Sequence, residues 1–222
     1  MSGLKIITGP TAAPISRIEA KGYLRLDDDL DDPQVRSFIQ AATDWAENYT
    51  GRFFISRTCS MMLNGAHQTE DLLSEGLRTG YSGVYYVNNI ELAASPVISV
   101  ESIKYYSDDN TESTWDASNY YVDLYSDPAK IVLRDGGAYP TDLRSANGLE
   151  INFTAGYGQS SFSVPEAIRM AIMQYLTFLY EHRGDYEAGL QPPAITKALL
   201  EPYRILRFNS NPYDKILKAG VF

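Results

Sequence analysis

The sequence predicts an α+β protein in which N-terminal and C-terminal helices pack together and an antiparallel β lobe is inserted between them. Apolar residues recur at helical spacing near both ends of the chain. The middle instead holds short runs rich in Val, Ile, Tyr and Thr, separated by turn-forming clusters. No repeat, low-complexity block or linker divides the chain, so this order indicates a single domain over residues 1–222. Its predicted parts are N-terminal helices at 14–52, the β lobe at 53–158, C-terminal helices at 163–207 and a tail at 208–222.

A loose leader and a short helix are predicted at the start of the chain. The leader, residues 1–13, lacks the apolar core of a signal peptide. The helix covers PISRIEAK (14–21), because Ser16 and Glu19 have the spacing of a capping box.

A longer helix is predicted after Asp32, a favourable N-cap, and Pro33, a favourable first helical residue. Gly51 is placed to end this helix in a left-handed turn. Its larger apolar side chains fall on one face of about four turns: Val35, Phe38, Ile39, Ala42, Trp45, Ala46 and Tyr49.

The β lobe is predicted from short strand-like runs about ten residues apart. Turn clusters at 64–65, 107–110, 134–137 and 145–148 separate several of them. The polar, glycine-bearing stretch 67–83 predicts a long exposed loop. The runs are FISRTCSMML, VYYVNNIEL, VISVESIKYY, YYVDLY, AKIVLRD and LEINFTAGYG.

Helical periodicity returns at Val164, with Ser163 as the expected cap and Gly184 after the end. This helix is apolar on more than half of its circumference, so it is either a central core helix or one that also meets a neighbouring subunit. AITKALLEPYRIL (194–206) predicts a short last helix. The tail that follows lacks periodicity and is expected to be either disordered or ordered by a partner.

Composition excludes several classes of function. The net charge of −9 and the absence of a dense Lys/Arg stripe argue against specific binding of nucleic acid. A lone cysteine, Cys59, excludes an internal disulfide and a cysteine-based zinc cluster. No stretch is apolar enough to span a membrane, and synthesis in the cytoplasm is expected. Seventeen tyrosines suit half-buried strand positions or a partner-binding surface equally well.

Five aspartates within residues 27–32, called here the acidic segment, are the most conspicuous candidate site. A calcium loop starting at Asp27 would need glycine and glutamate where Asp32 and Phe38 stand, so the template fails. Carboxylates at a helix start are instead expected to offset the helix dipole, with some left for solvent or a basic partner. His67 and His182 lie on opposite sides of the β segment, and no phosphate loop or nucleophile elbow is present. We therefore expect no enzyme, no cofactor and no metal; the alternative is a metal-dependent hydrolase that uses the acidic segment.

The order and spacing of several motifs resemble the head–tail connector (adaptor) proteins of tailed bacteriophages. The opening combines EAK at 19–21, LRLD at 24–27 and AENYTGR at 46–52. The likeness covers roughly residues 14–207, whereas 67–83 and the tail look individual to this chain. It continues through PVISVESIKYYSDDN, YYVDL, KIVLRDGGAYP, INFTAGYG, VPEAIRMAIMQYLTFLYEHRG and LLEPYR.

The resemblance implies a non-enzymatic virion protein of the head–tail neck. Such adaptors form a twelve-fold ring under the portal protein, offer a platform to the stopper or tail-completion protein, and let DNA pass through the channel without specific binding. An acidic lumen would repel DNA and let it slide. The alternative within the same particle is another neck component, a stopper or tail-completion protein, although the helical N-terminus favours an adaptor.

Two groups of residues are expected at interfaces. The acidic segment would face Arg or Lys groups of a neighbouring subunit, and the tail would reach towards the portal as in relatives. The candidate residues are Asp27, Asp28, Asp29 and Asp31 in the first group, and Tyr213, Lys215, Ile216, Leu217, Lys218, Val221 and Phe222 in the second.

Overall fold

The computed structural model describes residues 3–64, 89–184 and 191–205, and within these ranges it confirms the predicted α+β class. The helices are α1 (Arg17–Leu24), α2 (Asp32–Thr50), α3 (Glu166–Glu181) and α4 (Ala194–Leu200). The strands are β1 (Gly3–Thr8), β2 (Arg57–Leu63), β3 (Asn89–Glu91), β4 (Val97–Tyr106), β5 (Glu112–Thr114), β6 (Tyr120–Asp123), β7 (Lys130–Leu133) and β8 (Leu149–Ala155).

The four helices form a helical body with its own core, as predicted for the two ends of the chain. Helix α2 packs against α3, α4 packs on α3, and α1 packs on α2. The apolar stripe of α2 meets the apolar face of α3 because both repeat at the helical period. The buried side chains include Val35, Ile39, Ala42 and Ala46 from α2 and Ile168, Ala171, Ile172 and Leu176 from α3.

Two of the predicted helix ends are confirmed in detail. The Ser16 hydroxyl accepts the Glu19 N–H at 3.2 Å, and the Glu19 carboxylate accepts the Ser16 N–H at 2.8 Å, which completes the capping box. Gly51 adopts a φ of 72° after α2, and its N–H donates to the Glu47 carbonyl. A residue without Cβ suits this left-handed position.

Two of the predicted caps are wrong. Asp31 rather than Asp32 is the N-cap of α2, and its side chain makes no capping hydrogen bond because other partners hold it. Pro165 rather than Ser163 precedes α3, since Ser163 lies in a preceding 3-10 turn, Ser161–Ser163.

Two antiparallel sheets form the β lobe and share one core. The first sheet has the order β1-β2-β8-β4-β5, and the second has the order β3-β7-β6. Strand β8, at the centre of the first sheet, buries every second side chain, as expected for a strand with one face in the core. Residues of both sheets line that core, among them Cys59, Met61, Ile103, Ile131, Ile151 and Phe153.

The leader is a strand rather than a loose segment. Residues 3–8 form β1, which pairs antiparallel with β2 at the edge of the first sheet. Strand β5 was likewise not predicted. The expected loop at 67–83 and the tail at 208–222 lie outside the described residues, and the run at 84–92 is described only from Asn89.

Candidate interaction surfaces

The acidic segment is tied to the helical body by basic side chains of α1. Lys21 Nζ lies 2.5 Å from Asp29 Oδ1 and 3.1 Å from Asp32 Oδ1. Arg17 Nη1 lies 2.6 Å from Asp32 Oδ2. The hydrogen bond from Lys21, together with its charge, holds the pKa of the Asp29 carboxyl below its usual range. These carboxylates therefore join α1 to the start of α2.

Asp31 joins the same segment to the end of α3. The Tyr180 hydroxyl donates to Asp31 Oδ2 at 2.5 Å, and Arg183 Nη1 lies 3.3 Å from that oxygen. The hydrogen bond from Tyr180, and then the hydrogen bond and charge of Arg183, hold the pKa of the Asp31 carboxyl below its usual range. The acidic segment thus bridges the N-terminal and C-terminal helices.

Only part of the acidic segment remains available for a partner. Asp28 Oδ1 accepts the Leu30 N–H at 3.2 Å, within the turn itself. Asp27 has no hydrogen bond or ion pair in the part of the chain that the structure describes. No group of three or more His, Cys, Asp or Glu side chains converges as a metal site within residues 3–64, 89–184 and 191–205.

Arg169 is a structural centre that the sequence reasoning missed. It is a buried cation on the otherwise apolar face of α3. Its guanidinium pairs with Glu19 and Glu166 and donates to the Pro14 carbonyl at 3.3 Å. Because a buried charge requires partners, an isolated arginine inside the apolar pattern at 164–179 was the available signal.

A second group of ion pairs joins the helical body to the β lobe. Glu47 Oε1, near the end of α2, accepts the Phe54 N–H at 2.9 Å and pairs with Arg57 Nη2 at 2.6 Å. Burial raises the pKa of the Glu47 carboxyl, although both of these partners act in the opposite direction. Arg52 pairs with Asp127 and donates to the Tyr203 carbonyl.

An open cleft of about 440 Å³ lies at this junction. It is lined by the end of α2, by Leu4 of β1 and by Ala93 and Ala94 after β3. Of its charged groups, Glu47 pairs with Arg57, Arg52 pairs with Asp127 beyond the lining, and Asp44 accepts a hydrogen bond from Gln40 at 2.8 Å.

The histidines do not assemble a catalytic site in the described residues. His182 follows α3, stacks on Phe178 with the ring centroids 4.3 Å apart, and places Nδ1 2.9 Å from the Phe178 carbonyl oxygen. His67 and all seven tail residues expected at an interface lie outside the described residues. Within the described ranges no helix has the length and apolar character needed to cross a membrane.

The architecture is shared with proteins of phage-like particles. Similar solved structures are the neck of an empty gene transfer agent (GTA) particle with C6 symmetry, the virion of a native GTA particle, and the neck of a native GTA particle with C12 symmetry. The TM-scores are 0.69, 0.69 and 0.63, and the sequence identities are 22%, 22% and 21%. Each match covers 92% of this chain and 96% of the other, so the likeness extends over the whole fold.

The family follows from the sequence itself. The model of the phage gp6-like head–tail connector proteins matches residues 18–129, just over half of the chain. The chain therefore belongs to the phage gp6-like head–tail connector family, which confirms the resemblance to head–tail connectors. A search of curated proteins gave no match.

Proposed function

We propose that this protein is a structural component of the virion neck that forms a ring beneath the portal protein. The observation that carries this proposal is the family match over α1, α2 and most of the β lobe. The ring extends the DNA channel and offers a platform to a stopper or tail-completion protein.

The assemblies that contain similar chains support the ring. Those particles have necks with C6 and C12 symmetry. A closed ring of identical subunits needs two different, complementary surfaces on each subunit, because each contact is head to tail. We propose a dodecamer in the particle.

The charge of the chain supports passage of DNA without specific binding. At −9, each subunit adds to a field that repels phosphates, and a ring multiplies that field. The ionised side chains of the acidic segment and of the cleft serve largely as structural ties, which favours a non-enzymatic role. Nothing in the described residues favours the hydrolase alternative.

The two expected groups of interface residues take different parts in this proposal. Asp27 and Asp28 are the members of the acidic segment that remain for basic groups of a neighbour, whereas Asp29 and Asp31 are bound within the subunit. The tail, with Lys215 and Lys218 among apolar residues, contacts the portal.

The test is assembly of the purified protein with and without the portal of the same particle. We expect rings in negative-stain micrographs and a corresponding mass by light scattering, with association to the portal. In the phage, deletion of the gene should give filled or leaking heads without tails. A protein that stays monomeric and never binds portal or heads contradicts the proposal, and one that binds only preassembled connectors is a stopper instead.

A further inference from the structure

Strand β1 leaves part of the lobe core uncovered at one edge of the first sheet. Leu4 pairs with Met61 and Ile6 pairs with Cys59, so these β1 side chains lie on the core-facing side. Met61 and Cys59 are buried, whereas Leu4 is 39% and Ile6 45% exposed. The second sheet therefore does not extend far enough to cover β1.

Strand β6 leaves the core uncovered in the same way on the second sheet. Val122 pairs with the buried Ile131, which places Val122 on the core-facing side, yet it is 36% exposed. Leu124 and Tyr125, just after β6, are exposed as well. At this edge the first sheet does not extend far enough to cover β6.

The two uncovered edges lie at different ends of the β lobe. Strand β1 is the terminal strand of the first sheet, and Leu4 lines a cleft with Ala93 and Ala94, which follow β3. Strand β6 lies near the opposite end, beside β5. Tyr120, the first residue of β6, packs on Trp115, which follows β5, with the ring centroids 4.7 Å apart. The lobe is thus two layers offset against each other, with the first layer protruding at β1 and the second at β6.

The features that usually prevent strands from associating are weak at the β1 edge, which has one lysine and one register shift at its end, whereas β6 is a short strand of four residues. Natural edge strands are blunted by several charges, proline or very short length. Strand β1 has six residues, three large apolar side chains and a single charge, Lys5. An edge of this kind is normally covered in the functional assembly.

The charges at the two edges are complementary. Lys5 forms no salt bridge in the described part of the chain. Asp116 and Asp123, at the β6 edge, form none there either; they accept hydrogen bonds only from nearby residues such as Ser118 and Ser126. Of the three aspartates in the stretch 116–129, Asp127 pairs with Arg52. Lys130, opposite Asp123, pairs with Glu91, so Asp116 and Asp123 carry the unpaired negative charge of this edge.

We propose that the β1 edge of one subunit packs against the β6 edge of the next subunit in the ring. The protruding first layer of one lobe lies over the protruding second layer of its neighbour, and each covers the apolar side chains that the other leaves exposed. The contact is head to tail, as a ring requires. The inference rests on the proposed function only in that the protein assembles with copies of itself.

Two single substitutions test the contact by blocking one edge each. Ile6→Asp places a carboxylate on the β1 edge, and Leu124→Asp places one on the β6 edge. We expect loss of rings for either variant alone. An equimolar mixture retains one intact pair of edges and should give a heterodimer that grows no further, as measured by light scattering and native mass spectrometry.

Cysteine trapping detects the contact even when it is transient. Protein with Ile6→Cys is mixed with protein with Leu124→Cys under mild oxidation, and a disulfide-linked dimer is expected on a non-reducing gel. All proteins in this experiment carry Cys59→Ala, because Cys59 lies directly opposite Ile6 on β2 and would compete by forming a disulfide with Ile6→Cys within the subunit. The matched control replaces Ile6→Cys by Ile18→Cys, an exposed apolar residue of α1 away from both edges.

The outcomes separate this inference from the proposed function. Rings that survive both aspartate substitutions, or a cross-link no stronger than in the Ile18→Cys control, overturn the edge-to-edge contact and leave the ring intact. Cross-linking of Ile6→Cys only with itself indicates a two-fold contact and overturns it as well. Absence of rings in the wild-type protein, with and without portal, contradicts the proposed function.

Discussion

At the scale of single residues, the partners of each aspartate decide what the acidic segment does. Asp29 and Asp32 bind α1, and Asp31 binds α3, so three carboxylates that look surplus in the sequence are ties between helices. Lys21 and Tyr180 lie 8 and 149 residues from their partners, and no local spacing rule links such positions. Five clustered aspartates can also form a cation site, but here three of them bind side chains of neighbouring helices and so stabilise helix packing.

The tie at Asp31 predicts a dependence of stability on pH. The folded-state pKa of Asp31 is lowered, so its contribution is present above the unfolded value of 3.8 and is lost as the pH falls through the folded value. Asp31→Asn should therefore lower the Tm at pH 7, and this difference from the wild-type protein should shrink as the pH falls through the folded-state pKa of Asp31. Differential scanning calorimetry at several pH values measures both.

Asp27→Asn is the matched control, because it removes the same charge from a side chain that has no hydrogen bond or ion pair in the described residues. We expect its Tm to follow the wild-type value across the same pH range. Equal losses in the two variants would show that net charge, not the contact with Tyr180 and Arg183, sets the dependence.

At the scale of elements, long periodic segments could be predicted and edge elements could not. Helices α2 and α3 each repeat an apolar face, and β4 was predicted over 97–106, the residues it occupies. Strand β1 shows no alternation between buried and exposed residues, because all of it is exposed. Pairing with β2, a contact across about fifty residues, creates this strand, and no local pattern encodes such a contact.

The two predicted caps failed because each helix begins one or more residues away from the predicted position. Asp32 is already the first residue of α2, and its carboxylate pairs with Arg17 and Lys21. Ser163 belongs to a 3-10 turn that local propensity does not distinguish from the first turn of a helix. In the candidate site the sequence located the acidic segment but not Arg169, two of whose partners, Pro14 and Glu19, lie about 150 residues away along the chain.

Two glycines give opposite predictions for helix stability. Gly51 has a φ of 72°, and an added Cβ would lie 3.7 Å from Ile205 Cβ, an ordinary contact. Gly51→Ala should therefore lower the free energy of unfolding by about 1–2 kcal/mol, because a residue with a Cβ disfavours this left-handed backbone conformation. Gly22 lies in α1 with nothing within 4 Å of an added Cβ, so Gly22→Ala should stabilise by about 0.5–1 kcal/mol. Urea unfolding of both variants measures the two signs, and destabilisation by both would contradict the assignment.

At the scale of the whole molecule, the helical body and the β lobe have separate cores joined by polar ties. The ion pair between Glu47 and Arg57 joins α2 to β2. Arg52 binds the Tyr203 carbonyl, in the 3-10 turn after α4, and also pairs with Asp127 of the β lobe. In the ring we propose, the lobe would carry contacts between subunits. The end of the described chain lies beside α2, where the Ile205 N–H donates to the Thr50 carbonyl at 2.9 Å.

This anchor predicts that the tail can be removed without loss of the fold. Deletion of residues 208–222 keeps the Ile205 and Tyr203 contacts, so the Tm should stay at the wild-type value. Rings should still form, because both edges of the β lobe remain, whereas binding to the portal in a pull-down should be lost. The full-length Lys215→Glu, Lys218→Glu variant separates the contribution of charge from that of the apolar tail residues. Undiminished binding of the truncated protein would place the portal contact on the helical body or the β lobe instead.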